Sequence, residues 1–308
     1  MSTLFSHFSI KINHISPQES KYLQVLDSIA LTPKTLYYYG KIPENMVKTV
    51  AIVGSRHNTR YGEEIAYKLA YELAKEGVIV ISGLAFGIDS IAHRGCLDAG
   101  GTTIAVLGTP IDKIYPRAHT GLAREIIEKG GAVISEYPPS GIEYDGVAPT
   151  TVDRKVNFLY RNRIISGLAD AVVIVEAAEK SGTLNTAAHA LSQGKDIFAV
   201  PGNITNPYSK GCNKLIREGA TPYLEPEDVL NMLFPERMAK KYSHKKKRGL
   251  IGDNDVETAI LTAIDGGITT GGEIMNITHL PPENFNEAVS MLEIKGKIRS
   301  FGGSFALV

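Results

Sequence analysis

Three glycine-containing turns carry most of the chemical information in this sequence. Each turn follows a short β-branched run and precedes an amphipathic segment, which is the pattern of a strand giving way to a helix. The turn residues are Gly54, Ser55 and Arg56 in the first turn, Gly83 in the second, and Ser181, Gly182 and Thr183 in the third. If the strands are parallel, their carboxyl ends meet at one edge, where backbone N–H groups and helix dipoles converge on an anion. The sequence therefore predicts a phosphate-binding crevice, although a tight-turn role explains any one of these turns equally well.

A second group of residues combines positive charge with an aromatic ring. It lies in the stretch KVNFLYRNR and comprises Lys155, Phe158, Arg161, Asn162 and Arg163. We expect a helix from Tyr160 onward, with Asn162 and Arg163 on its first turn beside the crevice. Single-stranded nucleic acid requires this combination, because cations hold its phosphates and a ring stacks on a base. The alternative is that Phe158 is an ordinary core residue.

Other chemistries find less support. The first turn is not GxGxxG and no GxxxxGK[ST] occurs, which argues against dinucleotide redox chemistry and ATP hydrolysis. No serine lies in G-x-S-x-G, and Glu136 and Glu176, which follow strand ends, do not define a reaction on their own. The pair Asp89 and His93 is explained by a helix-capping carboxylate beside a satisfied histidine. The two cysteines form no CxxC pair, and we expect no catalytic residue, no metal and no cofactor.

The elements that must position these residues alternate between strands and helices from Thr49 to Val200. We predict strands at Val50–Val53, Val78–Ser82, Thr103–Leu107, Ala132–Ser135, Ala171–Val175 and Ile197–Val200. We predict helices at Tyr61–Lys75, Ile88–Ala99, Leu122–Lys129, Tyr160–Leu168, Leu184–Gln193, Asn213–Glu218 and Pro226–Leu233. This order predicts an α/β fold with a Rossmann-like, doubly wound, mostly parallel sheet whose ligand crevice lies at the carboxyl ends of the strands.

The chain divides further by composition. Residues 1–48 are expected to form an extended lead-in with a short helix, and residues 49–236 the Rossmann-like domain. Residues 237–249 are expected to be a linker, because the first twelve of them include seven basic side chains and no acid. Residues 250–308 show helical periodicity followed by a hairpin pattern, which predicts a small C-terminal winged-helix-like domain.

The distribution of charge narrows the possible partners. The 33 basic and 33 acidic residues give a formal net charge of zero. By segment, the net charge is −2 for residues 1–236, +7 for the linker and −5 for residues 250–308. We therefore expect nucleic acid to be held in the crevice, and the acidic last segment to bind protein or to self-associate. Since no apolar run approaches the roughly 20 residues that span a bilayer, we expect a cytoplasmic protein without membrane contact.

Ordered motifs between Val50 and Ala220 carry a family resemblance. They read VAIVGSR, SGLAFGIDSIAHRG, ISEYPP, RNRIISGLA, SGTLNTA, FAVPGN and GCNKLIREGA. Together they resemble the DNA-processing protein A family, also called Smf. The resemblance implies a protein that binds single-stranded DNA through the turn and cluster residues named above, protects incoming strands in natural transformation and loads the RecA recombinase onto them. It also implies a homodimer through the region near Tyr223–Phe234.

A nucleotide-processing enzyme on a related Rossmann-like fold is the competing function. The cytokinin-activating phosphoribohydrolases have such a fold and carry the signature PGGxGTxxE. The third turn of this chain reads SGTLNTA and lacks the catalytic glutamate of that signature. This difference favours binding over hydrolysis, and we expect a protein that is not an enzyme.

Overall fold

The computed structural model describes residues 11–146, 154–236 and 251–308. The chain separates into two compact units, Met1–Leu233 and Phe234–Val308. In the ranges described, no helix is long and apolar enough to cross a membrane. The basic linker predicted at residues 237–249 lies outside the described residues.

The first unit is built on a large, mostly parallel sheet. Its strands are β1 (Asn13–Ile15), β2 (Leu36–Gly40), β3 (Thr49–Val53), β4 (Ile79–Ser82), β5 (Thr103–Leu107), β6 (Ala132–Ser135), β7 (Ala171–Ile174), β8 (Asp196–Ala199) and β9 (Thr221–Pro222). Across the sheet they lie in the order β1-β2-β6-β5-β4-β3-β7-β8-β9. From β6 to β9 all neighbouring strands are parallel, whereas β2 pairs antiparallel with both β1 and β6. The predicted α/β class and mostly parallel sheet are confirmed.

The order of the strands reverses beside β3. The chain first builds outward from β3 through β4 and β5 to β6, and then returns to place β7 on the other side of β3. At such a reversal the loops after the two adjacent strands diverge and leave a crevice at their carboxyl ends. The loops that follow β3 and β7 contain the first and third predicted turns.

Helices flank the sheet. They are α1 (Arg60–Lys75), α2 (Ile88–Asp98), α3 (Thr120–Glu128), α4 (Arg154–Gly167), α5 (Thr183–Ser192), α6 (Lys210–Arg217) and α7 (Pro226–Leu233). Successive strand side chains point to opposite faces, and along β5 Val106 belongs to one buried apolar cluster while Ala105 and Leu107 belong to another. The sheet is therefore covered on both faces, which explains why its strands read as continuous apolar runs.

The start of α4 differs from the prediction. The sequence pattern placed it at Tyr160, but the helix begins at Arg154 and includes Phe158. Asp153 precedes it in the sequence and is a residue type that favours the N-cap position, so a start signal was present. The earlier start puts Asn162 and Arg163 in the third turn of the helix rather than the first.

The described part of the N-terminal segment, residues 11–48, contributes β1 and β2 to the sheet and is not an extended lead-in. Strand β2 pairs with β6, and the side chains of Tyr22, Leu23 and Leu26 are buried in the core of the first unit. The partner strand lies about a hundred positions later in the sequence. No local sequence pattern predicts an antiparallel pairing between such distant strands. Composition alone therefore suggested a lead-in.

The second unit contains α8 (Asp255–Asp265), α9 (Gly271–Thr278), α10 (Pro282–Ile294) and a hairpin of β10 (Ile298–Phe301) and β11 (Ser304–Leu307). Its core includes Leu261, Ile274 and Leu292. The helices and hairpin expected from the sequence are present. The winged-helix classification stays a prediction, because element order alone does not define it.

Candidate nucleic-acid interface

A cavity of about 820 Å³ opens at the carboxyl ends of β3 and β7. The loop after β3, the loop after β7 and one side of α4 form most of its wall, to which Ala85, Asp89, Tyr115 and Tyr208 also contribute. The cavity therefore lies at the reversal of strand order, where the sequence placed the crevice.

The first and third turns meet in this cavity. Gly54, Ser55, Arg56, Ser181, Gly182 and Thr183 all line it. The Thr183 hydroxyl donates a hydrogen bond of 3.0 Å to the Gly54 carbonyl, so the two turns are joined directly. A Cβ atom on Gly54 would lie 2.6 Å from Cγ1 of Ile88, which shows that glycine is needed for packing at this position. A Cβ atom on Gly182 would meet only Leu159, at 3.8 Å, so the space over that residue is open.

Gly83 of the second turn supports the cavity from behind. Gly83 is buried and is absent from the cavity lining. Its N–H donates to Asp89 at 3.1 Å, and its carbonyl accepts from Arg161 at 2.9 Å. A Cβ atom on Gly83 would lie 2.6 Å from the Arg161 guanidinium. The glycine therefore allows the buried guanidinium to approach the turn.

Arg161 supplies a buried positive charge to the wall of the cavity. Besides Gly83, its guanidinium donates to the carbonyl of Val106. Burial lowers the pKa of Arg161 to about 10, and the Asp89 carboxylate opposes that shift. The guanidinium consequently stays protonated at neutral pH.

Phe158 is neither a core residue nor a freely exposed ring. It is half-buried, with the Arg56 guanidinium 5.4 Å from its ring centroid and the Arg161 guanidinium 5.7 Å away. The ring of Tyr115 lies 5.6 Å from it at an angle of 37°. Tyr115 is 39% exposed and lines the cavity, so it forms the outer member of an aromatic pair.

Tyr115 is a residue of this site that the sequence reasoning missed. It lies in the connection that follows β5, and β5 ends at the same edge of the sheet as β3 and β7. The position of this loop in the sequence could therefore have indicated Tyr115, because loops after parallel strands lie at one edge of the sheet. The connection contains Gly108 and charged residues, but no predicted helix starts directly after the glycine, which is the pattern that marked the three turns.

The remaining residues of the predicted basic cluster separate onto two sides of α4. Lys155 and Asn162 line the cavity, and Asn162 donates a hydrogen bond of 3.2 Å to Asn185. Arg163 does not line it. Because each helical residue turns by about 100°, Arg161 and Arg163 point in nearly opposite directions.

Arg163 forms a buried ion pair behind the helix. It is 2% exposed, and its Nη2 lies 2.8 Å from both carboxylate oxygens of Glu136. Its Nε donates to the carbonyl of Leu31 at 2.9 Å. The predicted placement of Arg163 beside the crevice is therefore wrong.

The carboxylates near the site have structural partners. Glu176 is buried and accepts hydrogen bonds from the backbone N–H of Thr59, at 2.9 Å, and from its hydroxyl, at 2.6 Å, so it holds the start of α1. Glu136 is engaged by Arg163. Across the described residues, no three His, Cys, Asp or Glu side chains are grouped so that they could hold a metal ion. The arrangement is suited to binding an anionic, base-bearing chain.

Comparison with known proteins defines the family. The family model for DNA recombination-mediator protein A matches residues 13–234. This chain belongs to that family. It is 42% identical over 222 residues to Protein Smf of Escherichia coli, which covers 72% of this chain and 57% of the relative. It is 38% identical over 227 residues to the DNA processing protein DprA of Bacillus subtilis, covering 73% and 72%. The resemblance read from the motifs is confirmed.

Solved structures give the same result. DNA processing protein A of Streptococcus pneumoniae superposes with a TM-score of 0.61 at 37% identity, covering 71% of this chain and 74% of that one. The Helicobacter pylori protein superposes with a TM-score of 0.60 at 29% identity, covering 74% and 98%. The latter structure was described for its single-stranded DNA binding mode. This chain matches little more than half the length of the E. coli relative.

Proposed function

We propose that this protein binds single-stranded DNA in the cavity beside β3, protects incoming strands in natural transformation and loads RecA onto them. The observation that carries the proposal is the aromatic pair of Tyr115 and Phe158 beside the exposed Arg56 at the reversal of strand order. Family membership supports it, since the H. pylori member binds single-stranded DNA.

Each part of the cavity has a role in holding a strand. Arg56 and Lys155 are exposed and attract phosphates, while the open backbone around Gly182 lets a phosphate approach the N-terminus of α5. The outer ring, Tyr115, stacks on a base, and Phe158 holds that ring in place. Gly83, Arg161 and Asn162 shape the wall. Ser55, Ser181 and Thr183 contribute turn N–H and hydroxyl groups.

The proposal includes no bond-making or bond-breaking step. A hydrolase would need a carboxylate that is free to act on its substrate. Glu136 and Glu176 are committed to Arg163 and to Thr59, and Asp89, which lines the cavity, accepts a hydrogen bond from the Gly83 N–H. The protein is therefore proposed to act by binding. It would do so in the cytoplasm, where incoming strands meet the recombinase.

A homodimer through the region near Tyr223–Phe234 is part of the proposal. In that region Val229 and Leu230 are buried by the protomer, whereas Leu224 is 73% exposed. Leu224 thus offers an apolar contact to a second copy. Sedimentation of wild-type protein and of Leu224→Asp tests this: loss of a dimer in the variant supports it, and a concentration-independent wild-type monomer contradicts it.

The binding proposal is tested by titrating labelled oligo-dT at several salt concentrations. Removing one phosphate contact lowers the slope of log affinity against log salt by about 0.7 for a single strand. We therefore expect Arg56→Ala and Lys155→Ala each to weaken binding and to flatten that slope. Lys68→Ala is the matched control, because Lys68 is exposed on α1 outside the cavity.

The outcomes distinguish the alternatives. Unchanged affinity and slope for both cavity variants would place the strand elsewhere. In parallel, wild-type protein is incubated with nucleoside monophosphates and the release of free base is measured. Base release without oligonucleotide binding would replace the proposal by the phosphoribohydrolase function.

A further inference from the structure

An exposed aromatic ring lies just outside the cavity. Phe86 is 49% exposed and belongs to the second glycine turn, between Gly83 and Gly87. It is one residue past Ala85, which lines the cavity, but is not itself part of the lining. The proposed pocket therefore leaves this ring without a function.

The backbone holds Phe86 outward at a conformational cost. Leu84 has a φ of 58°, a region that non-glycine residues rarely occupy, and Gly87 has a φ of 76°. The ring of His119 packs edge-on against Phe86 at 4.9 Å, and the Nδ1 atom of His119 lies 2.8 Å from the Leu84 carbonyl. The exposed ring is thus fixed in place rather than left loose on the surface.

A groove lies next to this ring, on the side of His119. It has a volume of about 770 Å³, and its lining includes Arg60, Tyr67, Ser90, Arg94 and His119. Phe86 links the two depressions, because it follows Ala85, which lines the cavity, and its ring packs against His119, which lines the groove. The cavity and the groove are therefore neighbours, and Phe86 stands where the two meet.

The charges of the groove indicate how it would contact a strand. The Nε of Arg60 pairs with Glu64 at 2.9 Å, and Arg94 pairs with Glu125 at 2.6 Å. Since Glu63 and Glu64 line the groove together with these two arginines, the groove has no net positive charge and gives phosphates little attraction. A ring that presents an exposed face can still stack on a base, which is an interaction that every base offers.

We propose that single-stranded DNA leaving the cavity crosses Phe86, where a base stacks on the ring, and runs into the adjacent groove. The inference rests on the proposed function and extends the strand path beyond the cavity. It assigns Phe86 a binding role that depends on strand length, since a short oligonucleotide fills the cavity without reaching the ring.

The experiment compares oligo-dT of about 4 and about 12 nucleotides, two lengths within the range of site sizes of single-strand binding folds. We expect Phe86→Ala to weaken binding of the longer strand by about five- to tenfold and to leave the shorter strand unaffected. The salt slope should not change, because a stacking contact releases no counterions. Leu191→Ala, at an exposed apolar position on α5 outside both depressions, is the control and should bind both strands as wild type does.

A second variant gives a direct signal. The chain contains no tryptophan, so Phe86→Trp introduces a single indole at the proposed contact, which can be excited selectively over the tyrosines. We expect the longer strand to quench its fluorescence and the shorter strand to leave it unchanged.

Three results would overturn the inference: wild-type affinity of Phe86→Ala for the longer strand, a flattened salt slope in that variant, or no quenching of Phe86→Trp by a bound longer strand. The first and third leave the cavity proposal standing. If wild-type protein binds neither strand, the proposed function fails as well.

Discussion

Gly182 offers a substitution that blocks the proposed site without disturbing the fold. The residue has ordinary backbone angles, φ −60° and ψ −19°, and directly precedes α5. A Cβ atom there meets only Leu159, at van der Waals distance. An acidic residue at a helix N-terminus is favourable, so the free energy of unfolding of Gly182→Asp should lie within about 0.5 kcal/mol of wild type or slightly above it.

Gly182→Asp should weaken DNA binding, although it leaves stability nearly unchanged. The new carboxylate would project into the cavity, where a strand phosphate is proposed to lie. Two like charges about 4 Å apart repel by about 1 kcal/mol in bulk water and by about 4 kcal/mol at an effective dielectric constant of 20. Because the cavity is open to solvent, we expect about 1 to 2 kcal/mol, which is a five- to thirtyfold loss of affinity.

Fluorescence anisotropy with labelled oligo-dT measures this loss, and urea unfolding checks that the fold is intact. Gly182→Asn is the matched control, because its side chain has nearly the same volume and no charge. The difference between the two variants should shrink from about 0.05 M to about 0.5 M salt as the repulsion is screened. Equal affinity of the two variants at low salt would show that no phosphate lies near Gly182.

Two further predictions concern stability. Arg163→Gln should lower the free energy of unfolding by about 3 kcal/mol, because the buried Glu136 carboxylate loses its partner; urea titration measures this, and a change below about 1 kcal/mol contradicts it. Burial lowers the pKa of His93 to about 3, whereas an unfolded histidine titrates near 6.5. The unfolded chain therefore binds more protons, and stability should fall by about 2 kcal/mol between pH 7.5 and pH 5. In parallel urea titrations, His93→Gln should not show this loss of about 2 kcal/mol. An identical pH profile of stability in both proteins would show that His93 does not cause the loss.

Local periodicity was sufficient for much of the first unit. The strand that ends before Gly54 and the strand that ends before Glu176 were both located, because a buried parallel strand is a short apolar run followed by a small-residue turn. Parallel topology then placed both turns at one edge. This reasoning found most of the cavity without any knowledge of side-chain contacts.

What the sequence did not reveal depends on contacts between distant residues. Arg161 and Arg163 are two positions apart and chemically identical, yet one lies at the cavity and the other pairs with Glu136. Which of the two faces the cavity depends on how α4 is rotated about its axis. A prediction that starts the helix six residues late does not define that rotation. Strand β2 escaped notice for a related reason, since its partner β6 is remote in sequence.

The contacts behind α4 have a consequence for the smallest fragment that could retain activity. Leu31 accepts a hydrogen bond from Arg163, and Leu26 and Ile29 pack so closely on Gly167 that a Cβ there would lie 2.9 Å from the Leu26 side chain. A fragment that began at Thr49 would keep all the cavity-lining residues and lose this brace. Helix α4 would then pack against the rest of the unit on one side only, and the positions of Arg161 and Asn162 on that side would be less well fixed. The unit that forms the proposed binding cavity is therefore longer than the stretch of chain that lines it.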